Sequence, residues 1–434
     1  MLHFRILALS LLAFIPALKA QETKLYPIGP GWAQNSVNTT IFRKNSVTSD
    51  HTHQYAAYYD ANGHVVIAKR RLDTEDWTVK QTAFTGNIQD AHNSISIAID
   101  GQGILHLSWD HHNNSLRYAR SKSPDSLEFT PIIPMVGDRE SDVTYPEFHS
   151  IVNGDLLFLY RDGESGRGNL IINRYQVATQ KWTRVQTKLL DGENQRNAYW
   201  QAHTDPDSET IYLSWTWRET WDVSTNHDIC YAASHDGGQT WQKSSGEQYP
   251  LPITATTAEY AARIPQNSEL INQTSMCADA NGHPYIASYW TPAQSDTPQF
   301  HIAYHDGQSW HTSQITRRQT PFSLSGGGTK RIPISRPQIL ADSTGPTTKA
   351  YLIFRDVERQ NRPSIATCPD LAKPTWQITD LAELDLGQWE PSYDIPLWHS
   401  QKQLALFIQK TAQGDAETTQ QLPPQQVSIL QYTP

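Results

Sequence analysis

Apolar and polar residues alternate in short runs along the whole chain, and seven of these runs are rich in β-branched and aromatic residues. Alternation with a period of two predicts β-strands whose side chains point to opposite faces of a sheet. No long run has the period of an amphipathic helix. The seven predicted strands are HVVIAKRR, ILHLSWD, LLFLYRD, TIYLSWTW, PYIASYW, KAYLIFRD and LALFIQK.

These strands belong to a weak repeat of seven units, in which a turn precedes the strand and a further strand, often with a Trp, follows it. The pattern predicts an all-β fold, a seven-bladed β-propeller, with six blades plus appended strands as the alternative. The C-terminal VSILQY is suited to closing the ring against an N-terminal strand. The first six turns begin at Asp60, Asp100, Asn153, Asp205, Asp279 and Asp342, and a degraded seventh unit begins at Leu397.

One unit carries an Asp-box, the octapeptide SHDGGQTW from Ser234 to Trp241. In this pattern the Asp236 carboxylate accepts hydrogen bonds from the backbone N–H groups of a turn between outer strands. Trp241 is expected to pack between blades. We therefore predict that the Asp-box supports the fold and takes no part in chemistry.

The N-terminus has the pattern of a secretory signal. His3 and Arg5 precede an apolar run from Ile6 to Leu18, and Ala20 suits the last residue before cleavage. We therefore predict a signal peptide over residues 1–20, a single propeller catalytic domain over residues 21–434, and a secreted or periplasmic protein. No later stretch approaches the ~18 apolar residues that span a membrane.

Composition narrows the range of partners. The 35 Lys and Arg against 44 Asp and Glu give a formal net charge of −9, which disfavours nonspecific nucleic-acid binding. Cys230, Cys277 and Cys368 are too few and too scattered for a disulfide framework. A single Cys230–Cys277 bridge and three buried thiols both stay open. We expect a monomer with no nucleic-acid or membrane partner.

The segment DAHNSISIAIDGQGILHLSWDHHNN holds three histidines in one predicted hairpin. Polar side chains cluster where strands end, so His92 and the pair His111 and His112 can face one groove. Histidine is the side chain best suited to proton transfer near neutral pH. Adjacent residues on a strand point to opposite sides, and we favour His112 for the groove, with His111 held by a neighbouring group.

Tyr145 and Arg161 extend this wall. Tyr145 begins one predicted strand and Arg161 ends the next, so a hairpin can bring the two together. An Arg at the end of an apolar strand is costly to bury unless an anion meets it, and its fork fits a carboxylate. A structural pair with Asp162 or a Glu is the alternative.

Two later regions add candidate substrate contacts. The fourth unit supplies aromatic faces that suit sugar rings, at Tyr199, Trp200, Trp215 and Trp217. Polar, non-repetitive insertions in a repeat fold usually lie on the binding face, and two of them run from Arg263 and from Ser323. They hold the candidate anion contacts Arg263, Asn267, Lys330, Arg331 and Arg336.

Metal ligands are also present. His227, Cys230, Cys277 and His283 are of the types that bind zinc, although their spacing is not an established zinc pattern. A structural zinc or calcium ion stays possible. A Ser-His-Asp hydrolase lacks its G-x-S-x-G elbow here.

The runs DAHN…DHHNN, YPEF, LLFLYRDGESGRGN, RNAYWQAH and SGGGTKRIPISRPQI resemble bacterial secreted proteins with BNR-type repeats. This group includes the seven-bladed propeller ulvan lyases, which cleave a sulfated rhamnose–uronate polysaccharide by β-elimination. The resemblance covers nearly the whole chain after residue 20. It implies that His92 and His112 are the active-site histidines, Tyr145 the catalytic tyrosine, Arg161 the carboxylate-binding arginine and Tyr199 a second tyrosine.

The leading hypothesis is thus a polysaccharide lyase that acts on an acidic, ulvan-type polysaccharide and needs no cofactor for its chemistry, because Arg161 neutralises the uronate. The alternatives are a propeller rhamnosidase or lyase acting on rhamnose–glucuronate termini, and a carbohydrate-binding propeller without catalysis. A sialidase is disfavoured, because its N-terminal Phe-Arg-Ile-Pro motif is missing. The residues predicted to contact substrate beside the catalytic four are His111, Asn113, Arg196, Tyr199, Arg263 and Arg331.

Overall fold

The computed structural model describes residues 23–41, 45–164, 168–273 and 275–434. These residues form 28 strands in seven antiparallel sheets, which are the seven blades of a β-propeller. The predicted fold class is therefore confirmed, and the six-bladed alternative is wrong. The predicted signal peptide lies outside the described residues.

The strands are given in chain order. The first half consists of β1 Thr23–Gly31, β2 Val47–Ser49, β3 His53–Tyr59, β4 His64–Arg71, β5 Thr78–Thr85, β6 Ile95–Ile99, β7 Leu105–Trp109, β8 His112–Asn114, β9 Tyr118–Arg120, β10 Val143–Ser150, β11 Leu156–Asp162, β12 Asn169–Gln176 and β13 Lys181–Gln186. The second half consists of β14 Asn197–Thr204, β15 Ile211–Arg218, β16 Asn226–Ser234, β17 Glu259–Ala262, β18 Ser275–Ala278, β19 Pro284–Trp290, β20 Gln299–His305, β21 Trp310–Gln314, β22 Gln338–Asp342, β23 Lys349–Phe354, β24 Ser364–Cys368, β25 Gln377–Asp380, β26 Ser392–Tyr393, β27 Leu404–Ile408 and β28 Gln425–Tyr432. One helix, α1, spans Ile395–Gln401 and is capped by Asp394, whose Oδ1 accepts a hydrogen bond from the Leu397 backbone N–H at 3.1 Å.

The blades follow one another along the chain, and the strand nearest the central channel is named first. Their strand orders are β2-β3-β4-β5, β6-β7-β9, β8-β10-β11-β12-β13, β14-β15-β16-β17, β18-β19-β20-β21, β22-β23-β24-β25 and β26-β27-β28-β1. The last blade mixes both chain ends, since β1 pairs with β28 from Thr23 opposite Tyr432 to Gly31 opposite Gln425. The expected closure by VSILQY is thereby confirmed.

All seven predicted apolar strands are strands, but the first lies out of phase with the others. Six of them are second strands of a blade when the short β8, contributed by the chain of blade 2, is left out, and they are reached by turns at the face opposite the candidate site. The turn at Asp60 instead joins β3 to β4, the second and third strands of blade 1. The equivalent first turn of this blade begins at Asp50, whose Oδ1 accepts hydrogen bonds from the backbone N–H groups of Thr52 and His53, each at 2.7 Å.

Apolar clusters between neighbouring blades hold the ring together. One cluster joins blades 3 and 4 through Leu159, Ile172, Trp200, Trp215 and Trp241. The Asp-box has its predicted geometry, with Asp236 Oδ1 accepting the Gln239 and Thr240 backbone N–H groups, each at 2.9 Å. Burying aromatic area on this scale is the main stabilising contribution of such a core.

The cysteines contribute to this core as free thiols. Cys230, Cys277 and Cys368 are all buried and none forms a disulfide, so the three-thiol alternative is the one that the structure contains. In the described part of the chain no helix is long and apolar enough to cross a membrane.

The central channel widens into a cavity of about 470 Å³ at the face of the first turns. Asp100, His149, His203 and Asp207 are among the residues that line it. None of the ten residues predicted for catalysis or substrate binding does so. His92 precedes the strand β6 and Asp100 follows it, so the two residues lie at opposite faces and the candidate site opens at the other end of the channel.

Candidate functional site

His112 lies at the mouth of the channel because its strand pairs with blade 3, whereas the strands before and after it belong to blade 2. After β7 the chain turns at Asp110, which has a φ of 65° and accepts the Asn87 backbone N–H at 2.7 Å. The next strand, β8, leaves blade 2 and pairs with β10 of blade 3, with His112 opposite Thr144. The chain then returns to blade 2 as β9. This excursion carries His112 to the inner edge of blade 3 and leaves 37% of its side chain exposed.

One carboxylate holds both histidines of the site. Asp90 Oδ1 contacts His92 Nδ1 at 2.7 Å, and Asp90 Oδ2 contacts His112 Nδ1 at 2.6 Å. The two rings stack with centroids 4.2 Å apart. Burial alone would raise the pKa of Asp90, but the hydrogen bonds with His112 and His92 outweigh it and hold that pKa well below its usual value. An ionised Asp90 accepts from both Nδ1 atoms, so His112 Nε2 keeps its lone pair while the ring is neutral.

Glu417 is a second carboxylate on His92 and comes from the loop between β27 and β28. Its Oε1 lies 3.2 Å from His92 Nδ1 and accepts the Thr329 backbone N–H at 2.5 Å, while its Oε2 accepts the Ala91 N–H at 2.9 Å. Burial lowers the pKa of His92, but Asp90 and Glu417 overcome this effect and raise it to about 9. His92 is therefore an imidazolium at neutral pH, and a hydrogen-bond donor.

Replacing Glu417 by Gln is expected to remove part of this charge stabilisation, about 1–2 kcal/mol of unfolding free energy near pH 6. A raised pKa stabilises the folded state fully below the unfolded value of 6.5, and the gain is lost as pH rises through about 9. The difference between wild type and variant should thus be largest near pH 6 and close toward pH 9. Denaturant unfolding over this range measures it. Asp415→Asn, in the same loop, is the control, and a difference independent of pH would contradict the expectation.

Tyr145 lies in a bulge of the innermost full-length strand of blade 3. The pairing of β10 with β11 shifts between Thr144 and Glu147, and Tyr145 takes a φ of 58°, which is uncommon for a residue with a side chain. Strained backbone of this kind clusters at functional sites. The bulge turns the phenol ring toward His92, with ring centroids 6.1 Å apart. Burial raises the pKa of Tyr145 to about 12, so the phenol stays protonated at neutral pH.

Arg161 is the penultimate residue of β11 and lies directly behind this tyrosine. Its guanidinium carbon lies 4.9 Å from the centre of the Tyr145 ring, and its Nε donates to the Gly163 carbonyl at 3.1 Å. Gly168 permits this position, because a Cβ there would stand 2.5 Å from the Arg161 side chain. The residue as a whole is only 3% exposed.

The expected structural alternative for Arg161, a pair with Asp162, is absent. The Asp162 carboxylate instead accepts from Arg139 Nη1 at 3.2 Å. Among the residues that the structure describes, no carboxylate lies within 4.0 Å of the Arg161 guanidinium. A buried cation without a counter-ion is costly, and an incoming anion would relieve that cost.

Tyr199 stands on the other side of Tyr145, with ring centroids 6.4 Å apart. A second arginine, Arg218, covers the Tyr199 ring at 4.6 Å and donates to its hydroxyl at 3.2 Å. Arg218 also donates to the side-chain carbonyls of Asn226 and Asn272, each at 2.8 Å. Arg218 was not among the residues predicted from the sequence, because it follows two tryptophans in WTWRE and the aromatic residues were the candidates there.

Two predicted substrate contacts flank His112. The structure buries His111 away from the site and places Asn113 beside it. His111 is 0% exposed; its Nδ1 contacts Asn114 Oδ1 at 3.0 Å and its Nε2 accepts the Arg117 N–H at 3.0 Å. Burial lowers the pKa of His111 to about 4, so it is neutral and offers no atom to a substrate. Asn113 lies beside the site, with its backbone N–H on Thr144 Oγ1 at 2.8 Å.

The three predicted arginine contacts are placed differently from one another. Arg196 is occupied by Glu219 at 2.7 Å and Glu193 at 3.2 Å, so its charge is already balanced. Arg263 keeps 69% of its side chain exposed while its guanidinium lies 3.3 Å from the centre of the Tyr260 ring. Arg331 is exposed, and only its backbone N–H is anchored, on Asp415 at 2.9 Å.

Of the other residues suggested in the two insertions, Arg336 and Asn267 hold the loops, whereas Lys330 forms only a long ion pair. Arg336 is buried and pairs with Glu390, with Nε 2.9 Å from Oε1. The Asn267 backbone N–H donates to the Ser224 carbonyl at 2.9 Å. Lys330 lies 3.9 Å from Asp415, beyond hydrogen-bond distance.

Side chains that could bind a metal lie close together in the candidate site, but the predicted zinc ligands around the cysteines do not. Asp90, His92 and His112 have ligand atoms within 4.8 Å of one another, and the two oxygens of Asp90 lie at hydrogen-bond distance from the Nδ1 atoms of the two histidines. His227, Cys230, Cys277 and His283 are not brought together. In the described part of the chain neither cysteine joins such a group, and they belong to different core clusters.

Comparisons with known proteins agree with this architecture. Residues 53–318 match the model of the BNR repeat-containing family. The chain belongs to that family. The short-isoform ulvan lyase of Alteromonas sp. (strain LOR) is 25% identical over 281 residues, which are 51% of this chain and 51% of the relative. The long isoform of Glaciecola sp. (strain KUL10) is 26% identical over 168 residues, 29% of this chain and 16% of the relative. The match to this BNR-repeat chain thus spans about half of the length of the first of these relatives and less of the second.

Solved structures with the same fold include two polysaccharide lyases. The polysaccharide lyase Uly1 superposes with a TM-score of 0.66 over 97% of this chain and 93% of its own, at 16% identity. A PL25 ulvan lyase bound to -[GlcA(1-4)Rha3S]- gives a TM-score of 0.63 over 88% and 93%, also at 16% identity. At this identity the likeness establishes the propeller fold.

Proposed function

We propose that this protein is a secreted polysaccharide lyase that cleaves a uronate-containing, ulvan-type polysaccharide by β-elimination. The observation that carries the proposal is the buried Arg161 guanidinium, which has no carboxylate partner among the described residues and lies against Tyr145. The names of the curated relatives and of the structural neighbours support the same class of reaction.

Elimination must first make the C5 proton of the uronate more acidic. An ionised carboxylate beside C5 opposes the negative charge that develops when this proton leaves. In the proposed complex Arg161 binds that carboxylate through its guanidinium fork and stabilises the enolate-like charge. His92, an imidazolium paired with Asp90 and Glu417, lies on the same wall as a hydrogen-bond donor.

The remaining groups supply a base and an acid. His112 Nε2 takes the C5 proton, because Asp90 holds the ring by Nδ1 and orients the free lone pair. The C5–H electron pair then forms the C4–C5 double bond, and the C4–O4 bond breaks. The Tyr145 hydroxyl, protonated at neutral pH, donates a proton to the departing O4. The products are an unsaturated uronate end and a new free hydroxyl.

The test is incubation of the full chain with ulvan while the ultraviolet absorbance of the conjugated unsaturated uronate is followed. A rising signal with matching product masses is the expected result. Release of free rhamnose without unsaturated product would replace the lyase by a rhamnosidase. Saturable binding in calorimetry with no product would replace it by a carbohydrate-binding propeller.

A further inference from the structure

Trp221 is an exposed aromatic side chain on the same face as the site. It is 69% exposed and lies in the loop between β15 and β16, three residues beyond Arg218. Among the described large apolar side chains that are exposed it has the highest exposed fraction, and an aromatic ring can stack on a sugar through its apolar face. The proposed chemistry at His92, His112, Tyr145 and Arg161 does not use it.

One face of the indole packs against a glycine. Gly327 lies so close to it that a Cβ at this position would stand 3.1 Å from the six-membered ring of Trp221. The loops on either side are joined by the Val223 N–H on the Gly326 carbonyl at 3.0 Å and the Gly326 N–H on Asp222 Oδ1 at 2.9 Å. A pre-ordered side chain loses little entropy when a ligand stacks on it.

This position is continuous with the proposed active site. The three glycines at 326–328 are followed directly by Thr329. The Thr329 carbonyl accepts the Ala416 N–H at 3.0 Å, and the Thr329 N–H donates to Glu417. Glu417 in turn contacts His92. A polymer lying across His92 therefore meets this loop, and then the indole, as it leaves the reacting bond.

A cation flanks the same surface. A Cβ on Gly326 would lie 3.4 Å from Lys330 Nζ and 4.0 Å from the Trp221 ring, so ammonium and indole face the same small space. The nearest carboxylate oxygen of Asp415 is 3.9 Å from this ammonium, too far for a direct hydrogen bond, and 17% of the Lys330 side chain is exposed to an approaching anion.

We propose that Trp221 and Lys330 form a distal subsite for an acidic pyranose unit of the same polymer, an inference that rests on the proposed lyase function. The sugar's C–H face stacks on the indole, and its carboxylate or sulfate meets the ammonium. The subsite binds the chain away from the broken bond, so it raises affinity for long substrates without entering the chemical step.

The experiment compares Trp221→Ala with wild type on ulvan and on the shortest oligosaccharide that is cleaved. We expect KM for ulvan to rise about fivefold with kcat unchanged, and kcat/KM for the short substrate to stay the same. Lys330→Met should raise KM for ulvan in the same direction and flatten its salt dependence. Val357→Ala is the matched control, since Val357 is an exposed apolar residue of another blade on the same face.

Calorimetric titration of ulvan into Tyr145→Phe, with and without Trp221→Ala, separates binding from turnover. Weaker binding in the double variant supports the subsite even if the wild type cleaves nothing. Equal KM and equal affinity in all variants, with a wild type that cleaves ulvan, would overturn the subsite alone. A wild type that neither binds nor cleaves ulvan would overturn the proposed function and the subsite together.

Discussion

Arg161→Asn is expected to lower kcat on ulvan by about two to three orders of magnitude while leaving the melting temperature nearly unchanged. The activity falls because the uronate carboxylate loses the charge that stabilises its enolate-like form. Stability is retained because the substitution strands no carboxylate, since Asp162 is paired with Arg139. Steady-state rates of unsaturated product and thermal unfolding by circular dichroism measure the two effects.

Two companion variants sharpen the interpretation of Arg161. Arg161→Lys keeps the charge but loses the bidentate fork, so it should fall between wild type and Asn. Arg139→Asn removes a half-exposed arginine at the same end of blade 3 and should leave kcat unaltered. Activity within a few-fold of wild type in Arg161→Asn would refute carboxylate neutralisation. Loss of folding would show that the cation is structural.

Tyr145→Phe is expected to lower kcat by ~10²–10⁴-fold, the usual contribution of one positioned acid. The substitution keeps the ring that contacts Arg161 and His92 and removes only the hydroxyl that donates to O4. The KM for ulvan should change little, because stacking and charge contacts persist. Rates under saturating substrate, with thermal unfolding as a check on folding, measure the effect.

Tyr199→Phe provides the matched comparison for this tyrosine. Tyr199 is equally buried and its hydroxyl accepts from Arg218, so its loss should disturb binding and leave most of kcat. Near-full activity in Tyr145→Phe would transfer the acid role to His92, whose imidazolium ring has its centroid 6.1 Å from that of Tyr145.

The sequence was sufficient for the repeating part of the fold. Period-two alternation marked the seven apolar strands, since each must bury one face against a neighbouring blade. It did not locate Asp60 correctly within blade 1, because one D-x-x-G turn looks like another whichever pair of strands it joins. The excursion of β8 was also hidden, since three residues carry too little pattern to reveal a change of sheet.

The site was predictable where its residues belong to local motifs. His92 and His112 flank one hairpin, and Asp90 stands two residues from His92, close enough to have been included with it. Glu417 offered no such indication, because it lies 325 positions beyond His92 and reaches it only through the closed ring. His111 shows the converse, since adjacency to His112 could not distinguish an interior histidine from one at the channel mouth.

The pairing of β1 with β28 also affects the order in which parts of the site form during folding. The loop that brings Glu417 to His92 is anchored by β28, and β28 is secured by the first strand of the chain. Closing the ring and bringing Glu417 to His92 therefore depend on the same strand pairings. During synthesis the last blade can form only after β28 has been made, so the contact between Glu417 and His92 is among the last to form.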